Sequence, residues 1–227
     1  MNRVILSAST DETILAVTRQ HKLVDLEIEQ QINTEIVGCI YKGVVKNIVP
    51  AVDGIFVDIG IGKNAFLRRK DLLNEKRFPT EGSPILAQVI KSDTDMKGAL
   101  ITEKISMFGK YAVTLSGTGY IGVSKKIRQE SVRKRLKEIG KEICAEHMGL
   151  IIRTAAENAD MDEFRKDITR LKENWDIIQK RFRMEKSPTL LYRESDIIVK
   201  ALRDYVNKGT EILITDNRKI YERICKL

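Results

Sequence analysis

The 227-residue sequence holds little of what many site chemistries need: three cysteines, two histidines, one tryptophan, 4 prolines, and only 6% aromatic residues. Cys39, Cys144 and Cys225 form an odd-numbered, widely separated set with no C-x-x-C pair, which excludes a disulfide framework and a zinc knuckle. His21 and His147 alone are a poor basis for a histidine-rich metal centre or a Ser-His-Asp relay. No window approaches the roughly 18 consecutive apolar residues of a membrane span. Met1-Asn2-Arg3 leads into Val4-Ile5-Leu6 without a long apolar signal region. Export and membrane insertion are therefore not expected, and a reducing cytoplasm is.

The composition otherwise belongs to a folded chain, 42% hydrophobic and 32% charged, long enough for one to two domains or three small modules. Forty Lys+Arg against 32 Asp+Glu leave +8, and the excess is local: Lys125 to Lys137 holds seven basic residues and one acidic one. A polyanion is one reading of that run. A solvated helix face is the other, since Ser131 to Gly140 has helical spacing with Val132, Leu136 and Ile139 inward.

Along the chain, Val4-Ile5-Leu6, Ile14 to Val17 and Leu23 to Ile28 read as three short strands, the last approximating an in/out alternation. Such a meander is too small to stand alone, so a partner from elsewhere must cover it. Helical spacing in Ile197-Ile198-x-x-Ala201-Leu202-x-x-Tyr205 and the strand-like Glu211 to Asp216 supply one. From Ile36 to about Ile105 the pattern is all strand, five short runs punctuated by Gly, which predicts a closed barrel. In Gly54 to Gly60, Ile55, Val57 and Ile59 share one face, and Phe56 and Asp58 the other. Phe56 is expected outside the barrel, and Phe66, between Ala65 and Leu67, likewise. The competing reading has these rings plugging the barrel end. Asp160 to Arg183 reads as a helix with one apolar stripe, Phe164, Ile168, Leu171, Trp175, Ile178 and Phe182.

Several segments together resemble a known family. Tyr41-Lys42-Gly43-Val-Val-x-x-Ile, Gly54-Ile-Phe-Val-Asp-Ile-Gly and Ala65-Phe-Leu resemble the S1-type OB barrel, which binds single-stranded RNA. With Met96-Lys97-Gly98-Ala99-Leu100-Ile-Thr, Gly122-Val-Ser-Lys-Lys-Ile, Gly149-Leu-Ile-Ile-Arg153-Thr154-Ala and Glu194-Ser-x-Ile-Ile-x-x-x-Leu-Arg203-Asp204-Tyr205, the order resembles the N-terminal part of the ribonuclease E/ribonuclease G family of bacterial endoribonucleases. The resemblance implies an α+β fold in which an S1-type OB β-barrel is inserted in a partial ribonuclease-H-like subdomain and followed by an α/β 5′-sensor region. The implied divisions are 1–35 and 194–227 for the ribonuclease-H-like parts, the second incomplete, 36–106 for the barrel, and 107–193 for the sensor.

It also implies roles. Phe56, Phe66 and Lys97 match the family's RNA-contacting positions, and Arg153-Thr154 with Gly109 and Val113 match the pocket for the 5′-monophosphate of RNA. From the residues alone, Thr154-x-x-Glu157 also reads as a helix capping box, which leaves Arg153 unexplained. Unpaired helix-terminal amides beside a guanidinium would suit a phosphate. Lys42 and Lys46 are either extensions of the phosphate track or ordinary solvated lysines. Family members cleave RNA with Mg²⁺ held by two aspartates in a deoxyribonuclease-I-like domain, followed by a cysteine motif that binds zinc between subunits. Both are expected after the matched region, so no cofactor and no catalytic residue are expected here, while Mg²⁺ and a homo-oligomer are implied for a full-length member. Asp93 and Asp95 are more readily loop carboxylates than a metal site. The expected partner is single-stranded RNA with a 5′-monophosphate, in rRNA and mRNA processing and decay. A stand-alone, non-catalytic single-stranded RNA-binding protein is the rival reading.

Overall fold

The computed structural model describes residues 2–30, 36–76, 78–94, 97–144, 148–194, 196–206, 210 and 212–226. The chain forms two compact units, residues 36–194 as one, and 1–35 with 195–227 as the other.

The first unit begins with β1 (Asn2–Ala8), β2 (Glu12–Arg19) and β3 (Lys22–Gln30), an antiparallel meander. Gln20 and His21 make the β2–β3 turn with φ of 49° and 64°, the left-handed pair that a two-residue hairpin loop requires.

In the second unit, β4 (Ile40–Val49), β5 (Gly54–Asp58), β6 (Ala65–Arg68), β7 (Pro84–Lys91) and β8 (Leu100–Thr102) run β4-β5-β6-β8-β7, and β7 pairs back onto β4. The barrel closes as its Gly-punctuated pattern predicts. Its inside holds Ile55, Val57, Ile59, Ala65, Leu67, Ala87 and Ile101, all essentially inaccessible.

The chain then lays down β9 (Ser106–Phe108), β10 (Ala112–Ser116), β11 (Ile121–Val123), α1 (Glu130–Ile143), β12 (Met148–Ile152), α2 (Met161–Met184) and β13 (Thr189–Tyr192). The first four of these strands form a sheet ordered β11-β12-β10-β9, and β13 joins the barrel beside β4. One face of that sheet is sealed by the apolar stripes of the helices: Leu136 and Ile139 from α1, and Phe164, Ile168, Leu171 and Ile178 from α2, share a core with Met107, Ala112, Leu150 and Ile152. Trp175 and Phe182 pack at its margin. Asp160 caps α2 by accepting from the amides of Asp162 and Glu163.

The final segment returns to the first unit as α3 (Ile197–Tyr205), β14 (Ile212–Thr215) and α4 (Arg218–Ile224). β14 pairs in parallel with β1, giving the sheet order β14-β1-β2-β3. Ile197, Ile198, Ala201 and Ile220 bury Val4, Leu6, Leu15 and Val17, so the terminal segment covers the meander as expected.

β3 adds what the alternation alone leaves open, which of its faces is covered. Its alternation is real, but the acidic side faces the helix. Glu27 pairs with Lys200 at 2.6 Å, Asp25 accepts the Tyr205 hydroxyl, and Glu29 accepts the Ile197 amide at 3.3 Å. Val24, Leu26 and Ile28 are left 51%, 52% and 56% exposed. α3 presents an amine, a phenol and its own first amide to that strand, so carboxylates are the matching row.

Candidate RNA interface

On the barrel, Phe56 and Phe66 are direct cross-strand partners outside the wall, their ring centroids 5.5 Å apart and tilted at 51°. The flanking Ile55, Val57, Ala65 and Leu67 are buried, so alternation places both rings outward, and the plug reading does not hold. Gly54 makes room for this: a Cβ there would lie 2.3 Å from the Phe66 ring. Lys97 is exposed in a turn closed by Thr94, whose carbonyl accepts the Lys97 amide at 3.3 Å and whose amide donates to the Lys97 carbonyl at 2.8 Å. The turn sits against the start of β6, because a Cβ on Gly98 would come 1.9 Å from the Asn64 carbonyl, and Phe66 donates its amide to Ala99. The Lys97 turn thus lies at the start of β6, the strand that carries Phe66, and Lys63, whose amine donates to the Thr94 carbonyl at 2.9 Å, lies at the same turn.

Lys42 is different. Its amine donates to the carbonyls of Phe182 (2.7 Å) and Glu185 (2.6 Å) and lies over the Phe182 ring, satisfying the C-terminal end of α2. It is a structural cation, while Lys46 pairs with Asp58 at 3.4 Å on the barrel surface.

At one end of the β9–β12 sheet, Arg153 follows β12, and its Nη1 donates to the Gly109 carbonyl at 2.9 Å. Gly109 is fixed from behind. The Asp167 carboxylate of α2 accepts the Lys110 amide at 3.2 Å and the Tyr111 amide at 2.8 Å, and a Cβ on Gly109 would sit 2.4 Å from Asp167 Oδ2. Only glycine lets that carboxylate reach the two amides. The Gly109 amide itself donates to Ala112, so both of its backbone groups hold the loop. Tyr111 donates its hydroxyl to Glu163, and burial followed by that carboxylate pushes its phenol far above the ordinary range. Val113 lies opposite Ile151, two residues before Arg153.

Thr154 corrects the capping expectation. Residues Thr154–Ala156 form one 3₁₀ turn with no side-chain cap, and the Glu157 amide goes to the Thr154 carbonyl. The Thr154 hydroxyl instead lies 3.2 Å from the hydroxyl of Ser124. Without an α-helix here, the helix-terminus argument for anion binding drops away, and the guanidinium and hydroxyls carry it. Ser124 was missed by sequence reasoning. Its turn is held by Arg133, which donates to the carbonyls of Ser124 (2.7 Å), Ile127 (2.9 Å) and Val123 (3.4 Å). The basic run divides accordingly: Arg133 is drawn inward, while Lys125, Lys126, Arg128, Lys134, Arg135 and Lys137 are exposed.

Among the described residues no three His, Cys, Asp or Glu side chains group closely enough to hold a metal ion. Asp93 is exposed on its loop, and Asp95 and His147 lie outside the described residues. No helix among the described residues is long and apolar enough to cross a membrane.

A closed five-stranded barrel with paired outward aromatics and a lysine rim defines an oligonucleotide-binding protein. Residues 34–102 match the S1 RNA binding domain, and residues 106–227 match the Ribonuclease E/G family. The chain belongs to the ribonuclease E/G family. It is 32% identical to Ribonuclease G of Escherichia coli (strain K12) over 238 residues, which cover 97% of this chain and 49% of that protein. It is 31% identical to Ribonuclease G of Haemophilus influenzae (strain ATCC 51907 / DSM 11121 / KW20 / Rd), over 97% of this chain and 48% of that one. Ribonuclease E of Buchnera aphidicola subsp. Schizaphis graminum (strain Sg) is 31% identical over 98% of this chain and 25% of its own length. The chain thus spans about half the length of the ribonuclease G relatives it matches.

Proposed function

We propose that this chain is the RNA-binding, 5′-end-sensing portion of a ribonuclease E/G-type endoribonuclease acting on single-stranded RNA. In this reading Phe56 and Phe66 stack unpaired bases while Lys97 neutralises phosphate, and Arg153, Thr154 and Ser124 receive a 5′-monophosphate beside Val113. Gly109 acts through its carbonyl, which aims Arg153. Residues 36–106 are the barrel, 107–193 the sensor, and 1–35 with 194–227 a ribonuclease-H-like subdomain. Phosphodiester cleavage with Mg²⁺, and the assembly of subunits, are proposed for the protein of the relatives' full length, and no step of either is drawn from the side chains described here. Cys39, Cys144 and Cys225 form no disulfide, and a reducing cytoplasm is proposed as the setting.

The observation that carries the reading is the Thr154 hydroxyl. It caps nothing, faces a second hydroxyl, and follows a guanidinium anchored by a backbone carbonyl. Two hydroxyl donors and a planar fork suit the oxygens of a terminal phosphate. The test is the binding of two oligonucleotides identical except for a 5′-monophosphate or a 5′-hydroxyl. Charge-assisted bonds of about 1.5–3 kcal/mol predict a preference on the order of 10- to 100-fold for the phosphate. Arg153→Lys, which keeps the charge and loses the fork, is expected to lose much of it. Equal binding of the two ends by the unaltered protein refutes the sensor.

A further inference from the structure

A cavity of about 350 Å³ lies at the end of the β9–β12 sheet opposite the Arg153 pocket. Met148 begins β12 and lines the cavity, while Arg153 follows the end of that strand, so at 3.3 Å per residue the two places are about 16 Å apart. The walls are apolar: Leu86 of the barrel strand β7, Ile105 ahead of β9, Met148, and Trp175 of α2. Phe164, Ile168, Leu171 and Ile178 of the same helical stripe are buried, but Trp175 is only partly so, and its ring lines this space. Leu73 and Asp176, both exposed, stand at the mouth, so the cavity opens to solvent. Its volume falls at the lower end of the range of sites for small molecules, about 300–1,000 Å³.

The charged groups around this apolar space say what it takes. Glu103, Lys172 and Asp176 line it, two acids and one base, and among the described residues none of them forms an ion pair. Lys172 and Asp176 are four apart on α2, the spacing at which such a pair forms, yet they do not meet. The charge of Lys172 acts instead at Cys144, where it opposes the larger rise that burial gives the thiol. Glu103 is half-buried, and its Oε2 accepts the Leu73 amide at 2.9 Å. Burial raises its carboxyl, and that amide is the one group pulling it back down, so no cation of the protein compensates its charge. A half-buried carboxylate beside an indole is complementary to a positive charge, since the ring attracts a cation as well. We propose that this cavity is a binding site for a small organic cation, an amine or guanidine on an apolar body, with its charge on Glu103 beside Trp175 and its body among Leu86, Ile105 and Met148. The site is independent of the 5′-sensor reading, and none of the groups assigned to RNA belongs to it.

Trp175 is the chain's one tryptophan, so its fluorescence reports on the cavity directly. The test titrates the unaltered chain, Glu103→Gln and Lys172→Gln with three probes of like shape: phenethylammonium, the uncharged phenethyl alcohol and the anionic phenylacetate. Phenethylammonium is expected to give a saturable change in Trp175 emission and to bind the unaltered chain about 10-fold more tightly than the alcohol, with phenylacetate weakest. Glu103→Gln keeps an acceptor oxygen for the Leu73 amide and loses the charge, and is expected to weaken the cation about 10-fold while leaving the alcohol unchanged. Lys172→Gln removes a like charge and is expected to tighten the cation by about 2- to 5-fold. No saturable change with phenethylammonium refutes the site. Equal affinity for the cation and the alcohol refutes the recognition of charge, and leaves only an apolar gap between the barrel and α2. A Glu103→Gln chain that binds the cation as tightly as the unaltered one overturns the assignment to Glu103. Because the ranking of the three probes is read on the unaltered chain, it decides the proposal even where a variant does not fold.

Discussion

Replacing Asp167 by alanine probes how the pocket is held without touching any group assigned to RNA. Asp167 is 8% exposed, and its two oxygens accept the amides of Lys110 and Tyr111. Its removal leaves two amides without their acceptor, one of them deep beneath the nearly buried Tyr111. An unsatisfied buried donor costs about 1–3 kcal/mol, so the pair costs about 2–4 kcal/mol once partial access of solvent to Lys110 is allowed for. The loop from Gly109 to Tyr111 then loses its register. Because the Gly109 carbonyl anchors Arg153, selectivity for a 5′-phosphate is expected to fall together with stability. Asp167→Asn keeps the shape and one acceptor oxygen, and is expected to cost about half as much. Urea denaturation gives the stability and the paired oligonucleotides give the selectivity. An Asp167→Ala protein within about 0.5 kcal/mol of the unaltered chain would refute the accounting of buried amides. One that is several kcal/mol weaker yet fully selective would refute the link from Asp167 through Gly109 to Arg153.

Phe56→Ala and Phe66→Ala are each expected to weaken binding of unstructured RNA by about 1–3 kcal/mol with the circular dichroism spectrum unchanged, whereas loss of the folded spectrum would mean the rings support the barrel. Thr154→Val is expected to reduce 5′-phosphate preference while shifting stability by less than about 0.5 kcal/mol, since its hydroxyl caps no amide. A loss near 1 kcal/mol in its thermal unfolding would restore the capping reading. Burial raises the pKa of Glu103 against the smaller opposing pull of the Leu73 amide. A carboxyl whose folded pKa is raised favours folding below its unfolded value, and that contribution is lost as pH rises through the folded value. Glu103→Gln is therefore expected to raise Tm at pH 7, with the gain fading below about pH 4. A gain that is independent of pH would point to packing instead.

The barrel and the return of the terminal segment were legible because period-two alternation and Gly punctuation leave few alternatives. Ile55, Val57 and Ile59 declare one face of a strand, and that alone places Phe56 outside. β3 shows the limit of the same signal. Alternation separates Asp25, Glu27 and Glu29 from Val24, Leu26 and Ile28, yet which set is covered depends on α3, a helix about 170 residues away in the sequence. β9 and β13 were not anticipated, being strands of 3 and 4 residues that exist through the neighbours they pair with. Thr154-x-x-Glu157 has the pattern of a capping box, but the chain makes only a 3₁₀ turn before Asp160 starts α2, and a motif cannot cap a helix that does not begin there. Lys42 reads in the sequence as either a phosphate-track lysine or a solvated one, and the two carbonyls at the end of α2 make it neither, while Ser124 gains its place from Arg133 nine residues on. Contacts between elements distant in sequence carry no local signature. The Gly109 and Arg153 link was visible only through family resemblance, and its reason, the Asp167 carboxylate behind the glycine, only through the structure.

The most direct test of the account is a crystal structure of this chain with a short single-stranded RNA bearing a 5′-monophosphate. The account predicts the terminal phosphate within hydrogen-bonding distance of the Arg153 guanidinium and the Thr154 hydroxyl, with unpaired bases of that RNA against Phe56 and Phe66 when the strand is long enough to reach the barrel. A terminal phosphate bound elsewhere, with Arg153 and Thr154 untouched, would contradict it.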